Sequence, residues 1–101
     1  MNRRVRLSRA AKSDLDDIWD YVADESGIEQ AGRLIDSITN KFALLGRHPR
    51  AGRRRDEIHA GVRSMPAGSY VIYYRWRKNA VEIAHVFHAM RDQRKAWRPT
   101  N

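Results

Sequence analysis

Apolar and polar positions change their period twice along this chain. Over residues 3–7 they alternate, with Val5 and Leu7 apolar between Arg4 and Arg6, which predicts a short strand whose arginines discourage edge-to-edge pairing. From Ser8, a credible N-cap, the period becomes helical. Ala11, Leu15, Ile18, Trp19 and Val22 share one face, while Asp14, Asp16, Asp17, Asp20 and Asp24 fall mostly on the other. Gly27 ends that helix. Ile28, Ala31, Ile35, Ile38, Phe42 and Leu45 then follow alternating steps of three and four, before Gly46 at a C-cap position.

Past a basic loop, residues 46–60, the two-residue period returns. Residues 61–65 predict a short strand and residues 66–68 a turn. Residues 69–77 and 80–88 are dense in β-branched and aromatic side chains, and Lys78-Asn79 between them reads as a tight turn in which Asn79 tolerates positive φ. A two-residue loop sets Arg77 opposite Ala80, Trp76 opposite Val81, Arg75 opposite Glu82 and Tyr74 opposite Ile83. One face of the hairpin then carries Tyr70, Ile72, Tyr74, Trp76, Val81, Ile83, His85 and Phe87, and needs a cover. The other carries Val71, Tyr73, Arg75, Glu82, Ala84, Val86 and His88, and is expected to be the working surface.

Each helix has one apolar stripe, and the large apolar sheet face is the natural partner for both. The expected fold is therefore α+β: an αα-hairpin packed on one face of a three- to four-stranded antiparallel sheet, as one domain spanning residues 1–101. At 101 residues such a chain buries enough surface to fold without staples, and it has no cysteine. No apolar run approaches a membrane span and no signal pattern is visible, so the default expectation is a soluble cytoplasmic protein without a membrane partner. The C-terminal tail, residues 91–101, reads as a last helical turn or an irregular end, with Trp97 as a docking anchor or a cover for the sheet.

Charge changes the picture. Residues 1–46 carry seven Lys/Arg against eight Asp/Glu, a net of −1, and residues 47–101 carry thirteen against four, a net of +9. An acidic or polyanionic partner on one side is implied. Direct nucleic-acid binding through Arg50 to Arg55 is one reading, less favoured than a solvated loop awaiting an acidic protein. His85 and His88 do not make a metal pair, because strand residues three apart point to opposite faces; neither a metal nor a cofactor is expected.

The ordered series carries a resemblance: Val5-Arg6-Leu7, Asp14-Leu15 with Ile18, His48-Pro49, Gly52-Arg53, Glu57, Gly61-Val62-Arg63, residues 70–74, Val86-Phe87-His88 and Arg91-Asp92. The chain resembles the ParE branch of the RelE/ParE toxin superfamily over residues 4–97. The resemblance implies a toxin of a bacterial type II toxin–antitoxin module, cytoplasmic, neutralised by a ParD-like antitoxin with an acidic C-terminal segment. It further implies an inhibitor of DNA gyrase that is not itself an enzyme. RelE-type members are ribosome-dependent mRNA endonucleases, the alternative on the same scaffold.

Cleavage of RNA by its 2′-OH needs a proton acceptor, a proton donor and fixed positive charge at one phosphate. Under the RelE alternative the catalytic candidates are Arg63, Arg75, His88 and Arg91, with Tyr73 and Glu57 nearby in sequence. Each has a plain role too: Arg75 in a cross-strand pair with Glu82, His88 as a hydrogen-bonded strand end, Tyr73 as a cover for the sheet. Under the ParE reading no residue is catalytic. The antitoxin-binding face is expected to comprise Arg63, Val71, Tyr73, Arg75, Ala84, Val86, His88 and Arg91, with carboxylates meeting the arginines and apolar side chains covering the rest.

Overall fold

The computed structural model describes residues 3–91 of the chain. The elements run β1 (Arg4–Leu7), α1 (Arg9–Ser26), α2 (Ile28–Arg47), β2 (Arg53–Arg54), β3 (Arg63–Ala67), β4 (Tyr70–Arg77) and β5 (Ala80–His88). The strands form one five-stranded sheet in the order β1-β5-β4-β3-β2, with both helices packed on one face. The α+β architecture is as expected, but with one more strand and one parallel pair. β1 lies parallel to β5, Arg4 opposite Ala80 and Leu7 opposite Ile83. It feeds a helical hairpin and not a β-turn, so nothing forces it to reverse beside its neighbour. β2, antiparallel to β3, is two residues long, too short to show any alternation.

Both helix starts and stops have local causes. The Ser8 hydroxyl accepts from the Ala11 N–H at 2.9 Å and opens α1. Gly27, at φ 93°, ends α1 and begins α2, a conformation that a residue without Cβ adopts freely. Along α2, Ala31, Ile38, Phe42 and Leu45 are buried as expected, whereas Ile28, in the first turn, is 71% exposed. Gly46 is not the cap: α2 continues to Arg47 and His48 closes it, its N–H donating to the Leu44 carbonyl. Gly46 is there for closeness, since a Cβ would come within 3.0 Å of Val5 Cγ2 and 3.1 Å of the Arg3 carbonyl.

The hairpin turns as expected at residues 78–79, though the positive φ (47°) belongs to Lys78 and not to Asn79. Pairing from Arg77–Ala80 to Tyr74–Ile83 matches the two-residue loop; beyond it the register slips. A bulge at Ala84 leaves Tyr73 opposite His85, Ile72 opposite Val86, Val71 opposite Phe87 and Tyr70 opposite His88. One extra residue exchanges the faces for the rest of β5. Val86 joins the helix-covered core, and Phe87 joins Tyr73 on the opposite side. His88 moves with Val86 and meets Tyr70 edge-on at 5.1 Å.

The bulge falls where β5 loses its neighbour. β1 ends at Leu7 opposite Ile83, and α1 takes over the exposed edge. Ser8 Oγ donates to the Ala84 carbonyl at 2.8 Å, and Asp14 Oδ2 accepts from the Val86 N–H at 2.9 Å while lying 3.1 Å from His85 Nδ1. Asp14 thus belongs to the sheet edge and not to the solvated acidic face. Replacing it by Ala leaves the Val86 N–H without its acceptor, with an expected loss of about 1–3 kcal/mol. Asp14→Asn, which keeps an acceptor oxygen, is expected to recover much of this in thermal melts.

Candidate functional site

The sheet face turned away from the helices carries Val71, Tyr73 and Phe87, together with His85 stacked on Phe87 at 4.7 Å between ring centroids. It is not the open surface that alternation suggested. Residues 55–62 fold over it, bringing Ile58 and Val62 onto Tyr73 and Phe87, so that Tyr73 is 0% exposed. The Arg55 N–H donates to the Val62 carbonyl at 2.8 Å, and Asp56 accepts from the Gly61 N–H at 2.9 Å and from Arg54 Nε at 3.1 Å. The Gly61 N–H first, then Arg54, holds the Asp56 carboxyl below its ordinary range. Glu57 is likewise lowered, first by its own backbone N–H and then by Arg55, whose Nε lies 2.9 Å away. Glu57 therefore belongs to the loop's own ion pair.

The expected site residues divide between the two faces. On the outer face stand Val71, half-buried; Tyr73 beneath the loop; Arg75, 3.1 Å from Glu82; and Arg91, its guanidinium 4.7 Å from the Phe87 ring centre. The Arg75–Glu82 pair is the cross-strand pair read from the register. Arg63, Val86 and His88 are on the helix side, and Ala84 is the buried bulge, so these four are corrected out of the outer face. His85, Phe87, Ile58 and Val62 take their places there. The only sequence signal for that exchange is an extra residue in β5, which a run of apolar residues hides.

Arg63 has a different task. Its guanidinium lies 5.3 Å from the Trp76 ring centre and donates to the Gly52 carbonyl at 2.9 Å and to the Arg50 carbonyl at 3.5 Å. Beside it, the buried Tyr74 hydroxyl donates to the Pro49 carbonyl at 2.7 Å and accepts from the Gly52 N–H at 2.8 Å. Two side chains of the sheet therefore pin the turn after α2, although residues 49–52 have no regular structure. Burial raises the Tyr74 phenol, against a smaller pull downward from the Gly52 N–H and Arg63; burial also raises Tyr70 and Tyr73. A phenol raised in the folded state keeps its contribution below the unfolded pKa, near 10, and loses it as pH climbs from there through the folded value. Thermal midpoints are thus expected to fall steeply above about pH 10, and less steeply in Tyr74→Phe.

Two solved structures share this arrangement of helices and sheet. A chain of the chromosomal ParDE toxin–antitoxin system from P. aeruginosa superposes with a TM-score of 0.75 at 22% identity, over 85% of this chain and 95% of that one. A chain of the RelBE2 toxin–antitoxin complex from Mycobacterium tuberculosis gives a TM-score of 0.58 at 26% identity, over 87% and 99%. The fold is therefore the one that these two toxin–antitoxin chains share. Residues 5–93 match the family described as ParE toxin of the type II toxin–antitoxin system, parDE, and the chain belongs to that family. It is 38% identical to Toxin ParE1 of Caulobacter vibrioides over 89 residues, covering 88% of this chain and 92% of the relative. Toxin ParE1 of Mycobacterium tuberculosis is 33% identical over 93 residues, covering 91% and 95%. No helix among the described residues is long and apolar enough to cross a membrane.

Proposed function

We propose that this member of the ParE family inhibits DNA gyrase by binding it, without cutting nucleic acid, and is held inactive by a ParD-like antitoxin. The dispersal of the RNA-cleavage candidates carries the reading. A phosphodiester cleavage site needs its acid, base and fixed charge around one phosphate. Here Arg63 lies on the helix side, engaged with loop carbonyls; Arg75 is held by Glu82; His88 packs on Tyr70; and Arg91 covers Phe87. These are the positions of packing and pairing residues. For the antitoxin, Val71 and the arginines Arg75 and Arg91 on the outer face suit an acidic, amphipathic segment that orders as it binds, burial supplying affinity and charge setting register.

Gyrase supercoiling and DNA-cleavage assays, run beside mRNA cutting on programmed ribosomes, test the target. Loss of supercoiling with intact messenger is the expected outcome. Codon-specific mRNA cleavage that disappears in His88→Ala refutes the reading and assigns the chain to the nuclease type. Arg75→Glu, which places a second carboxylate opposite Glu82, is expected to speed antitoxin dissociation; a folded variant with the wild-type dissociation rate places the interface elsewhere.

A further inference from the structure

The turn that Tyr74 and Arg63 pin in place forms one wall of a cleft of about 390 Å³, lined by Arg3, Arg47, His48, Arg50 and Trp76 together with Pro49 and Ala51. Its basic side chains come from two parts of the chain: Arg3 just before β1, and Arg47 in the last turn of α2 with His48 and Arg50 after it. Arg47, His48 and Arg50 are exposed, and no carboxylate pairs with Arg3, Arg47 or Arg50 among the described residues. A positive side chain near the carbonyl end of α2 is favourable on its own account, which explains Arg47. It does not explain Arg50, in the turn beyond the cap, or Arg3, which borders the same space from before β1, where its Nε donates to the Lys78 carbonyl at 3.1 Å. The walls are stiff, because the Gly52 N–H and the Pro49 and Gly52 carbonyls are engaged by the sheet. The basic side chains thus stand on a preorganised frame.

We propose that this cleft binds a single nucleic-acid strand, with phosphates on Arg47, Arg50 and Arg3 and a base packed against the part of Trp76 that lines the cleft, away from Arg63. Guanidinium groups take phosphate oxygens in pairs, and an aromatic ring beside them gives an unstacked base something to pack on. The cleft is of the size that holds one small ligand, which suits a nucleotide or two of a flexible strand and not a duplex. An acidic peptide is the lesser candidate, because it draws most of its affinity from buried apolar area and this lining is dominated by cations. The inference does not depend on which enzyme the toxin inhibits.

Fluorescence anisotropy of labelled 12-nucleotide DNA and RNA strands of one sequence, mixed with the purified chain over a range of salt, is the test. Binding of at least one strand is expected, the stronger of the two identifying the backbone recognised. Arg47→Gln/Arg50→Gln is expected to weaken it about tenfold or more at low salt and to reduce the salt slope by about 1.4, two phosphates' worth for a single strand. The matched pair Arg9→Gln/Arg33→Gln, exposed and outside the cleft, is expected to lose less than about twofold. Melting curves check each variant, and Arg50→Gln alone carries the test if the double variant unfolds. Failure of both strands to bind, equal losses in the two pairs, or equally tight binding of a polyglutamate of the same charge overturns the proposal.

Discussion

Ile38→Asp is expected to abolish cooperative folding. Ile38 is 0% exposed, one turn before Phe42 on the stripe of α2 that meets Ile72, Tyr74 and Ile83. A carboxylate there has neither water nor a cation, and an uncompensated buried charge costs about 3–5 kcal/mol. A domain of this size has about 5–15 kcal/mol in all. Circular dichroism on heating should show a broad, low-temperature loss of signal. An unchanged cooperative melt would mean that α2 presents a different face to the sheet. Ile38→Val, which keeps the apolar surface and loses one methylene, is expected to melt cooperatively with a loss of about 0.5–1.5 kcal/mol.

Gly52→Ala is expected to be the most damaging single-methyl addition in the basic loop. A Cβ at residue 52 would stand 2.5 Å from Tyr74 Oη and 2.7 Å from the Ser64 carbonyl. Neither atom retreats cheaply: Tyr74 Oη is buried in two hydrogen bonds, and the Ser64 carbonyl is strand backbone opposite Arg53. Overpacking and the strained Tyr74 bonds together should cost about 2–4 kcal/mol, read as a lower urea midpoint with an unchanged slope. Tyr74→Phe tests the cause. Made alone, it removes a buried hydroxyl with two partners; made on Gly52→Ala, it removes a hydroxyl that is already displaced, so the two losses should add to less than their sum. Full additivity would show that the Cβ clashes with something other than the Tyr74 hydroxyl.

Local pattern was sufficient wherever the period of the side chains and the chemistry of a cap pointed the same way. Ser8 and Gly27 bound α1 because each satisfies or relaxes backbone groups within a few residues of itself. The stripe of α2 from Ala31 to Leu45 is a matter of helical geometry, and Arg75 opposite Glu82 is a matter of counting from a two-residue turn. The ordered family residues, too, lie along the chain for anyone to read, and they placed it in the ParE family that the comparisons show.

Tertiary structure decided what depends on groups distant in sequence. The bulge at Ala84 sits where β1 runs out and Ser8 and Asp14 take over the edge of β5, an event 76 residues away for the Ser8 contact. Alternation cannot show it, since Ala84, Val86 and Phe87 are apolar whichever way they face. That single residue moved Val86 and His88 to the helix side and brought His85 and Phe87 to the outer face. The register of β3 against β4 set Arg63 beside Tyr74, and the pinned turn at residues 49–52 exists only because Tyr74 reaches it across the fold. A sequence states which side chains are apolar and which are charged; the strand edges and turns they must satisfy are created by the fold, and these chose between faces that the pattern left equivalent.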